Sequence, residues 1–399
     1  MQMNANVKGE NSLKRNYTKI RTGNGFKLRG QEIILKKAFG FWQRNFLHCD
    51  RVLDGSTSKS KEHIFSLWWN MLPFLLFSLF TALSAAELCH PNDKAALLAF
   101  KHSFSNPNPI PSWDPNFDCC NYYGVECDET TNYVIGLEMI SDYLTGTIPT
   151  ALANLTHLQI LRLHKIPNLV GEIPPAIGEL TNLRFLEISW TNISGPVPHF
   201  LVNLKNLAFL ELQFNRLSGS IPSSLATLPY LRVIDLSRNQ LTGQIPESFG
   251  YLPNTAEFPA LDLSHNMLSG EIPASLANLN YSTVDISRNN LSGDASVFFG
   301  KGKITTVIAI SRNNFSFDFS KVSFMESLVI LDISHNKIYG SIPPQITEDT
   351  MLQRLNLTYN RLCGKIPTGW KLKFNSDGWD YTSFFHNRCL CGIPLDPCK

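Results

Sequence analysis

Charged side chains are scarce in this chain of 399 residues: only 17% are Asp, Glu, Lys or Arg, while 43% are hydrophobic. This composition excludes a disordered or collagen-like polymer and predicts a large buried core. The charges are also unevenly divided. Residues 1–64 carry 13 Lys/Arg against 5 Asp/Glu, which leaves 22 against 28, a net charge of −6, for the rest. A body of that charge without a long basic run is not expected to bind nucleic acid, which requires a basic surface.

Motifs of known catalytic sites are missing from the sequence. It has no HExxH, no GxSxG, no P-loop and no GxGxxG that opens a helix. Paired carboxylates could suggest a glycosidase, but here acidic residues recur at one repeat position, which favours a solvated structural row. The nearest candidate for zinc ligands, Cys389 and Cys391, has CxC rather than CxxC spacing. We therefore expect no catalytic residues, no metal and no cofactor.

Eight of the nine cysteines form two groups. They are Cys89, Cys119, Cys120 and Cys127, then Cys363, Cys389, Cys391 and Cys398. Each group of four allows three pairings, and pairing in chain order is the simplest choice. On that basis we predict the disulfides Cys89–Cys119, Cys120–Cys127, Cys363–Cys389 and Cys391–Cys398. Two stapled caps of this kind require an oxidising compartment.

An uncharged segment runs from Ile64 to Ala86 and ends in small residues. It is typical of a signal peptide cleaved before Glu87. Its distance from the first Met leaves an alternative, an uncleaved signal anchor with its basic flank inside. We predict a leader over 1–63 that is disordered or an artefact of the assigned translation start, and a signal peptide over 64–86. Both interpretations place the body outside the cell, either secreted to the apoplast and cell wall or anchored to the membrane.

A unit of about 24 residues recurs through the body. One full copy, residues 207–230, reads LAFLELQFNRLSGSIPSSLATLPY. Aligning the copies on the asparagine of LxxLxLxxN predicts one row, formed by Asn168, Asn192, Asn215, Asn239, Asn266, Asn289, Asn313, Asn336 and Asn360. Units two and three are expected to carry inserted residues, at 164–167 and 189–191. We predict about ten repeats over 134–375, between an N-terminal cysteine cap at 87–133 and a C-terminal one at 376–399.

Each copy has the pattern of a short strand, a turn and an irregular return path. In the copy quoted above, Leu207, Leu210 and Leu212 should point inward, with the residues between them pointing outward. The Asn215 amide should satisfy backbone groups at the turn, and Gly219 before Ile-Pro should permit a sharp bend. No unit can bury its leucines alone. We therefore predict an α/β solenoid with a concave parallel β-sheet and an irregular or 3-10 convex side.

These motifs resemble a known family. LxxLxLxxNxLSGxIPxxLxxL is similar to the plant extracellular leucine-rich repeat, and ALLAFK, PSW and DCCNYYGVECD resemble its cysteine-paired N-terminal cap. The degenerate units NNLSGDASVFFG and NNFSFDFSKV and the closing NRCLCGIPLDPCK resemble polygalacturonase-inhibiting proteins. The resemblance implies a right-handed leucine-rich repeat superhelix. It also implies a secreted plant defence protein that binds fungal or insect endopolygalacturonases through its concave face and limits pectin degradation.

Outward positions of the central repeats are the candidate partner-binding residues. We predict a monomer that binds its partner through Phe185, Glu187, Trp190, Phe209, Glu211, Gln213, Arg232, Asp235, Arg238, Asp262, His265, Asp285 and Arg288. Trp190 is expected to be exposed near Phe185 and Phe209, as an interface anchor. The competing interpretation of these aromatics is incidental packing over the strand edge.

Two other functions fit the same scaffold. One is a recognition module in receptor signalling, and the other is adsorption to ice or to the cell wall, which should require rows of Thr or Asn. Direct binding of pectin is a further possibility that the acidic body disfavours. Six sequons are candidates for glycosylation, at Asn154, Asn192, Asn280, Asn290, Asn314 and Asn356.

Overall fold

The structure, a computed structural model, describes residues 88–106, 110–252, 259–347, 351–368 and 381–399. The predicted leader at 1–63 and the apolar segment at 64–86 lie outside these residues. Within them, no helix has the length and hydrophobicity needed to cross a membrane.

The N-terminal cap is built around one α-helix and one tryptophan. Helix α1 (Pro91–His102) buries Leu97 and Phe100 against Trp113, which is fully buried and donates from Nε1 to the Tyr123 carbonyl at 2.9 Å. Disulfides join Cys89 to Cys119 and Cys120 to Cys127. The cap therefore covers the first repeat with a small core of its own.

Strands are numbered β1 to β22 in chain order. The main sheet of the described residues has eleven of them, all parallel except β1, which is antiparallel to β2. They are β1 (Val125–Cys127), β2 (Val134–Ile140), β4 (Ile160–His164), β6 (Phe185–Ser189), β8 (Phe209–Glu211), β10 (Val233–Asp235), β12 (Ala260–Asp262), β14 (Thr283–Asp285), β16 (Val307–Ala309), β18 (Ile330–Asp332) and β20 (Arg354–Asn356).

Shorter strands follow the turns and pair into three smaller sheets. They are β3 (Gly146–Thr147), β5 (Leu169–Gly171), β7 (Asn192–Pro196), β9 (Arg216–Ser220), β11 (Gln240–Thr242), β13 (Ser269–Glu271), β15 (Asn290–Gly293), β17 (Asn314–Phe315), β19 (Tyr339–Gly340), β21 (Arg361–Lys365) and β22 (Cys389–Cys391). Short 3-10 helices carry the return paths of the repeats. They are Thr150–Asn154, Pro175–Glu179, His199–Asn203, Ser223–Thr227, Glu247–Tyr251, Ala274–Asn278, Ser296–Phe298, Phe319–Lys321 and Pro344–Thr347, with Cys119–Asn121 and Tyr381–Phe384 in the caps. The predicted solenoid of parallel strands and 3-10 segments is confirmed.

Buried asparagines tie each turn to its neighbours. Asn239 is typical: its Oδ1 accepts the Leu217 amide at 2.9 Å, and its Nδ2 donates to the carbonyls of Leu212 and Leu236 at 2.9 and 3.1 Å. The same contacts recur from Asn266 onward through the repeats. Asn387, in the C-terminal cap, continues the row by bonding the Leu362 amide and the Leu357 carbonyl. Backbone amides and carbonyls that would otherwise lack hydrogen-bond partners at the turns are thereby paired.

The predicted asparagine row is wrong at its N-terminal end. Thr191, not Asn192, occupies the row in unit three, where it hydrogen-bonds Asn215 and the Ile193 amide. In unit two the equivalent residue is Ile166, which is buried, rather than Asn168. The strands β4 and β6 pair in register through His164 and Ser189, so unit three has no insertion there. A hydroxyl can replace the amide in unit three because it still supplies an acceptor and a donor.

The C-terminal cap extends the solenoid. Cys363 in β21 is disulfide-bonded to Cys389 in the parallel strand β22, and Cys391 is bonded to Cys398. The Leu357 amide donates to the Ser383 carbonyl at 2.9 Å, so the cap also covers the last strand of the main sheet.

Candidate protein-binding surface

Outward side chains of the main sheet form four lanes that cross the strands. The apolar lane consists of Ile160, Phe185, Phe209, Val233, Ala260, Val307 and Ile330, and Thr283 interrupts it. The acidic lane consists of Glu138, Glu187, Glu211, Asp235, Asp262, Asp285 and Asp332, with Arg162 after the first member and Ala309 before the last. The hydroxyl lane contains Ser189, Ser237, Ser264, Ser287, Ser311 and Ser334, with Gln213 after the first. The edge lane contains Lys165, Trp190, Phe214, Arg238, His265, Arg288, Arg312, His335, Tyr359 and His386.

The edge lane shares an uncommon backbone conformation. All ten of its residues have φ between 54° and 58°, the left-handed region that non-glycine residues seldom adopt. This conformation turns the chain away from the sheet and aligns the side chains of successive repeats. Trp190 consequently stacks on Phe214 at 3.5 Å between ring centroids, and Tyr359 stacks between His335 and His386.

Aspartates of the acidic lane support the end of each strand. Asp235 Oδ1 accepts the Ser237 amide at 3.0 Å and its hydroxyl at 2.7 Å. Asp262 and Asp285 accept the amides of the serines two residues later at 3.0 and 2.9 Å. An aspartate at this position therefore pairs a backbone donor that the end of the strand leaves open. Glu211 is one methylene longer, and its carboxyl accepts from the Gln213 side chain instead.

Glu187 lies at the outward strand position predicted for it, but it does not present a free carboxylate. It is 6% exposed, and its two oxygens accept from Arg162 Nε at 2.7 Å, Ser189 Oγ at 2.6 Å and His164 Nδ1 at 2.8 Å. Arg162 also bonds Glu138 at 2.7 Å. Burial opposes ionisation, but these partners outweigh it and hold the pKa of Glu187 at about 2. The network anchors three neighbouring strands.

In the described part of the chain, the next carboxyls of the acidic lane form no ion pair with an arginine or histidine, and their pKa values shift in the opposite direction. Burial raises the pKa of Glu211 to about 7, with the charges of Glu187 and Asp235 adding to the effect. Burial also raises the pKa of Asp235 to about 6, against the hydrogen bonds from Ser237. The pKa values of Asp262 and Asp285 are raised mainly by burial. Four consecutive strands therefore carry carboxyl groups that resist ionisation.

Two pairs of aromatic rings flank this part of the acidic lane. In the first ridge, Phe185 and Phe209 lie 5.6 Å apart between the guanidinium groups of Arg162 and Arg232, at 4.9 and 4.5 Å. The second ridge is the stack of Trp190 and Phe214 between Lys165 at 5.9 Å and Arg238 at 4.6 Å. Trp190 is half-buried against Phe214, so it is less exposed than predicted. The ridges belong to repeats two to five.

The structure brings all thirteen predicted residues onto one face, along β6 to β14. Arg232 lies just before β10 and covers Phe209, while His265 lies between Arg238 and Arg288, and its burial together with their charges lowers its pKa to about 4. The prediction omitted Phe214, Arg162 and Lys165, which complete the ridges and the Glu187 network. Their signal was the repeat spacing, which places each of them one unit away from a residue that was included.

Four of the six sequon asparagines lie in β-strands. The sequon residues Asn192, Asn290 and Asn314 lie in the small sheets, whereas Asn356 lies in β20 of the main sheet and bonds Thr358 and Ser334.

A group of potential metal ligands lies in the N-terminal cap, with ligand atoms within 4.8 Å of one another. It consists of Cys89, Cys119, Cys120 and Asp118. These cysteines are disulfide-bonded, and Asp118 accepts the amides of Leu88, Cys89 and Cys120. This group is part of the cap.

Comparisons with known proteins agree with this architecture. A leucine rich repeat N-terminal domain matches residues 90–128, and leucine rich repeats match 205–268, 260–279, 327–348 and 351–372. Polygalacturonase inhibitor 1 of Arabidopsis thaliana is 55% identical over 326 residues, 81% of this chain and 97% of the relative. The polygalacturonase inhibitor of Vitis vinifera is 53% identical over 79% of this chain and 93% of its own. A solved plant ice-binding protein has 44% identity and a TM-score of 0.74, over 78% of this chain and 98% of its own.

Fold and relatives together assign the class of protein. The curated relatives are named as inhibitors of an enzyme rather than as enzymes, and the repeat fold is a binding scaffold. The chain is accordingly a binding protein and not an enzyme. It belongs to the polygalacturonase inhibitor family of leucine-rich repeat proteins.

Proposed function

We propose that this protein is secreted and inhibits endopolygalacturonases of fungi or insects by docking its concave sheet over their substrate cleft. The observation that carries the proposal is the pair of ridges on either side of the acidic lane. Aromatic rings held by cations are rigid anchors of the type that dominates protein interfaces. A partner spanning five or six strands would bury an area near that of a standard interface, about 1,600 Å².

The four disulfides and the sequons support secretion, because disulfides persist in oxidising compartments. Secretion limits the partners to extracellular proteins. An inhibitor of this kind acts as a monomer, since its concave face must stay open to the enzyme.

The test is a titration of the chain, produced by a secreting eukaryotic host, against a panel of fungal and insect endopolygalacturonases. Residual pectin cleavage and direct binding are both measured. Inhibition of any member at a stoichiometry near one to one supports the proposal. Absence of binding and inhibition across the panel contradicts it and favours the receptor-module alternative.

Ice adsorption is the competing candidate, because the plant ice-binding protein shares both fold and sequence with this chain. The concave lanes disfavour it, since none of them is the row of Thr or Asn that this function is expected to require, and aromatic, acidic and basic side chains flank the serines. Thermal hysteresis measured on the same preparation separates the two functions. A clear freezing-point depression without inhibition would favour ice adsorption.

A further inference from the structure

A groove beside the N-terminal cap lies outside the surface described above. It has a volume of about 630 Å³, within the range of about 300 to 1,000 Å³ that is usual for ligand-binding clefts. One wall is a face of α1, and the other is the end of the first return path, with Asn154 and Thr156. The groove therefore lies where the cap meets the first repeat, and neither aromatic ridge contributes to it.

Uncharged polar groups and aromatic rings dominate the lining of this groove. The carboxylate among its described residues, Asp93, is buried and accepts the Val134 amide at 2.7 Å. Three of the lining rings form a stack, in which Tyr133 lies 4.3 Å from His90 and 3.8 Å from His157 between ring centroids. His157 ends the stack and is exposed. Such a lining suits an uncharged ligand with hydroxyl groups and a face of C–H bonds, which is the chemistry of a sugar ring.

His90 is an independent sign that the groove lacks a ligand. Its Nδ1 is enclosed and has no hydrogen-bond partner in the described part of the chain. Polar atoms enclosed in this way are rare in folded proteins, because they cost stability. A hydroxyl or amide group seated in the groove would provide the partner that this nitrogen lacks.

Asn154 differs from other sequon residues in what its side chain does. Asn192, Asn314 and Asn356 each donate a hydrogen bond from Nδ2 to a neighbouring repeat. Asn154 is exposed at the end of a 3-10 helix, and its Nδ2 donates to no atom of the described residues. This nitrogen can therefore carry a substituent without the loss of a hydrogen bond, and it lies on the wall of the groove.

We propose that Asn154 carries an N-linked glycan whose first N-acetylglucosamine lies in this groove. Leu155 and Thr156 complete the acceptor sequence. A bond forms between Asn154 Nδ2 and the anomeric carbon of the sugar, which comes from a lipid-linked oligosaccharide diphosphate. The bond from that carbon to the diphosphate oxygen breaks, Nδ2 loses one proton, and the lipid diphosphate leaves. The inference rests on the secretion included in the proposed function, and it is independent of enzyme inhibition.

The first sugar would stabilise the boundary between the cap and the first repeat. Its C–H face would pack on the exposed ring of His157, and one of its polar groups would bond His90 Nδ1. Because one wall belongs to α1 and the other to the first repeat, a sugar that contacts both holds them together. Loss of the sugar should therefore loosen α1 before it affects the central repeats.

The first experiment determines whether Asn154 is modified. The chain is secreted from a eukaryotic host, and its peptides are treated with the glycosidase that converts glycan-bearing asparagine to aspartate in heavy-oxygen water. Mass spectrometry should then find the Asn154 peptide fully converted. A secreted protein with an unmodified Asn154 overturns the proposal and leaves the proposed inhibition intact. A chain that is not secreted overturns both.

The second experiment tests whether the sugar lies in the groove. Asn154→Gln is compared with wild type and with Thr156→Ser, a matched control that keeps both the sequon and a hydroxyl beside His157. We expect Asn154→Gln to lower the melting temperature by about 2 °C or more and to accelerate proteolysis within α1, while Thr156→Ser behaves as wild type. Wild type and Asn154→Gln made in a host without N-glycosylation should melt alike, because the difference comes from the sugar.

Trimming identifies which part of the glycan matters. An endoglycosidase that leaves one N-acetylglucosamine on the asparagine should leave the melting temperature of wild type unchanged. If trimming abolishes the difference from Asn154→Gln, the outer sugars stabilise the protein and the place assigned to the first sugar is wrong. Equal melting temperatures and equal proteolysis of glycosylated wild type and Asn154→Gln would likewise overturn the contact in the groove.

Discussion

Glu187 and Glu211 face each other across paired strands, yet the structure predicts that the same substitution at these two positions has opposite effects on stability. Glu187 is bound by Arg162, His164 and Ser189, and its pKa is held at about 2. Glu211 lies among carboxyls, and its pKa is raised to about 7. Replacing each glutamate by glutamine removes a stabilising charge in one case and a destabilising charge in the other.

The signs follow from proton linkage. A carboxyl whose pKa is lowered by folding stabilises the protein above its ordinary value of 4.5, and this contribution is lost as the pH falls through about 2. A carboxyl whose pKa is raised by folding costs stability at high pH, and the cost disappears as the pH falls from about 7 to 4.5. Glu187→Gln should therefore be destabilising at pH 7, and Glu211→Gln should be stabilising at pH 8.

The magnitudes come from the size of each change in pKa. For Glu187, the change in pKa corresponds to roughly 3 kcal/mol of folding stability. We expect Glu187→Gln to remove about 2 kcal/mol of it, because glutamine keeps part of the hydrogen bonding. For Glu211, a similar figure is reduced to about 1 to 2 kcal/mol because the side chain is half-buried and partly screened. With about 2 °C for each kcal/mol, Glu187→Gln should lower the melting temperature by roughly 4 °C and Glu211→Gln should raise it by roughly 2 to 4 °C.

Thermal unfolding of the two variants and wild type at constant ionic strength, from pH 4 to 8, provides the assay. Differences from wild type are compared, because the titration of His265, whose pKa is lowered to about 4, contributes equally to all three proteins and cancels. The gain of Glu211→Gln should vanish near pH 4. Destabilisation by Glu211→Gln at pH 8, or equal effects of the two substitutions, would refute this account of the acidic lane.

Three further substitutions test other parts of the molecule. Asn239→Ala leaves the Leu217 amide and the Leu212 carbonyl without their hydrogen-bond partner, and should lower the free energy of unfolding in denaturant by about 2 to 4 kcal/mol. A loss below about 1 kcal/mol would contradict the role of the asparagine row. Trp190→Ala should weaken enzyme binding at least tenfold in calorimetry with a nearly unchanged melting temperature, whereas a parallel loss of both would mean that Trp190 serves the fold. Replacing both Cys89 and Cys119 by Ser should cost about 3 kcal/mol and accelerate proteolysis of α1, and an unchanged digestion rate would show that the disulfide does not stabilise the cap.

The sequence was sufficient for the fold because each repeat encodes its own strand and turn. Inward leucines and the following asparagine recur at a nearly constant interval, and stacking alone then determines the sheet. The prediction failed where a repeat replaced the asparagine, at Thr191 and Ile166. There the alignment moved to the nearest asparagine in the chain, and only the pairing of β4 with β6 revealed the correct register.

The sequence predicted where the candidate surface lies, but not which contacts its side chains make with one another. Outward alternation places Glu187 on the concave face, but its burial depends on Arg162, which lies 25 residues earlier and one strand away. The stacking of Trp190 on Phe214 likewise joins equivalent positions of successive units. Such contacts require the register between repeats, which one unit taken alone does not contain.

The separation of roles within each repeat explains how this scaffold can change partners without losing its fold. Inward leucines and the asparagine row supply the packing and the backbone hydrogen bonds, and neither is available to a partner. The outward lanes contribute to folding in places, as the Glu187 network does, but burial of the Glu211 carboxyl opposes it. Outside the network of Glu187, substitutions in the lanes of repeats two to five should therefore alter partner choice more readily than they alter stability.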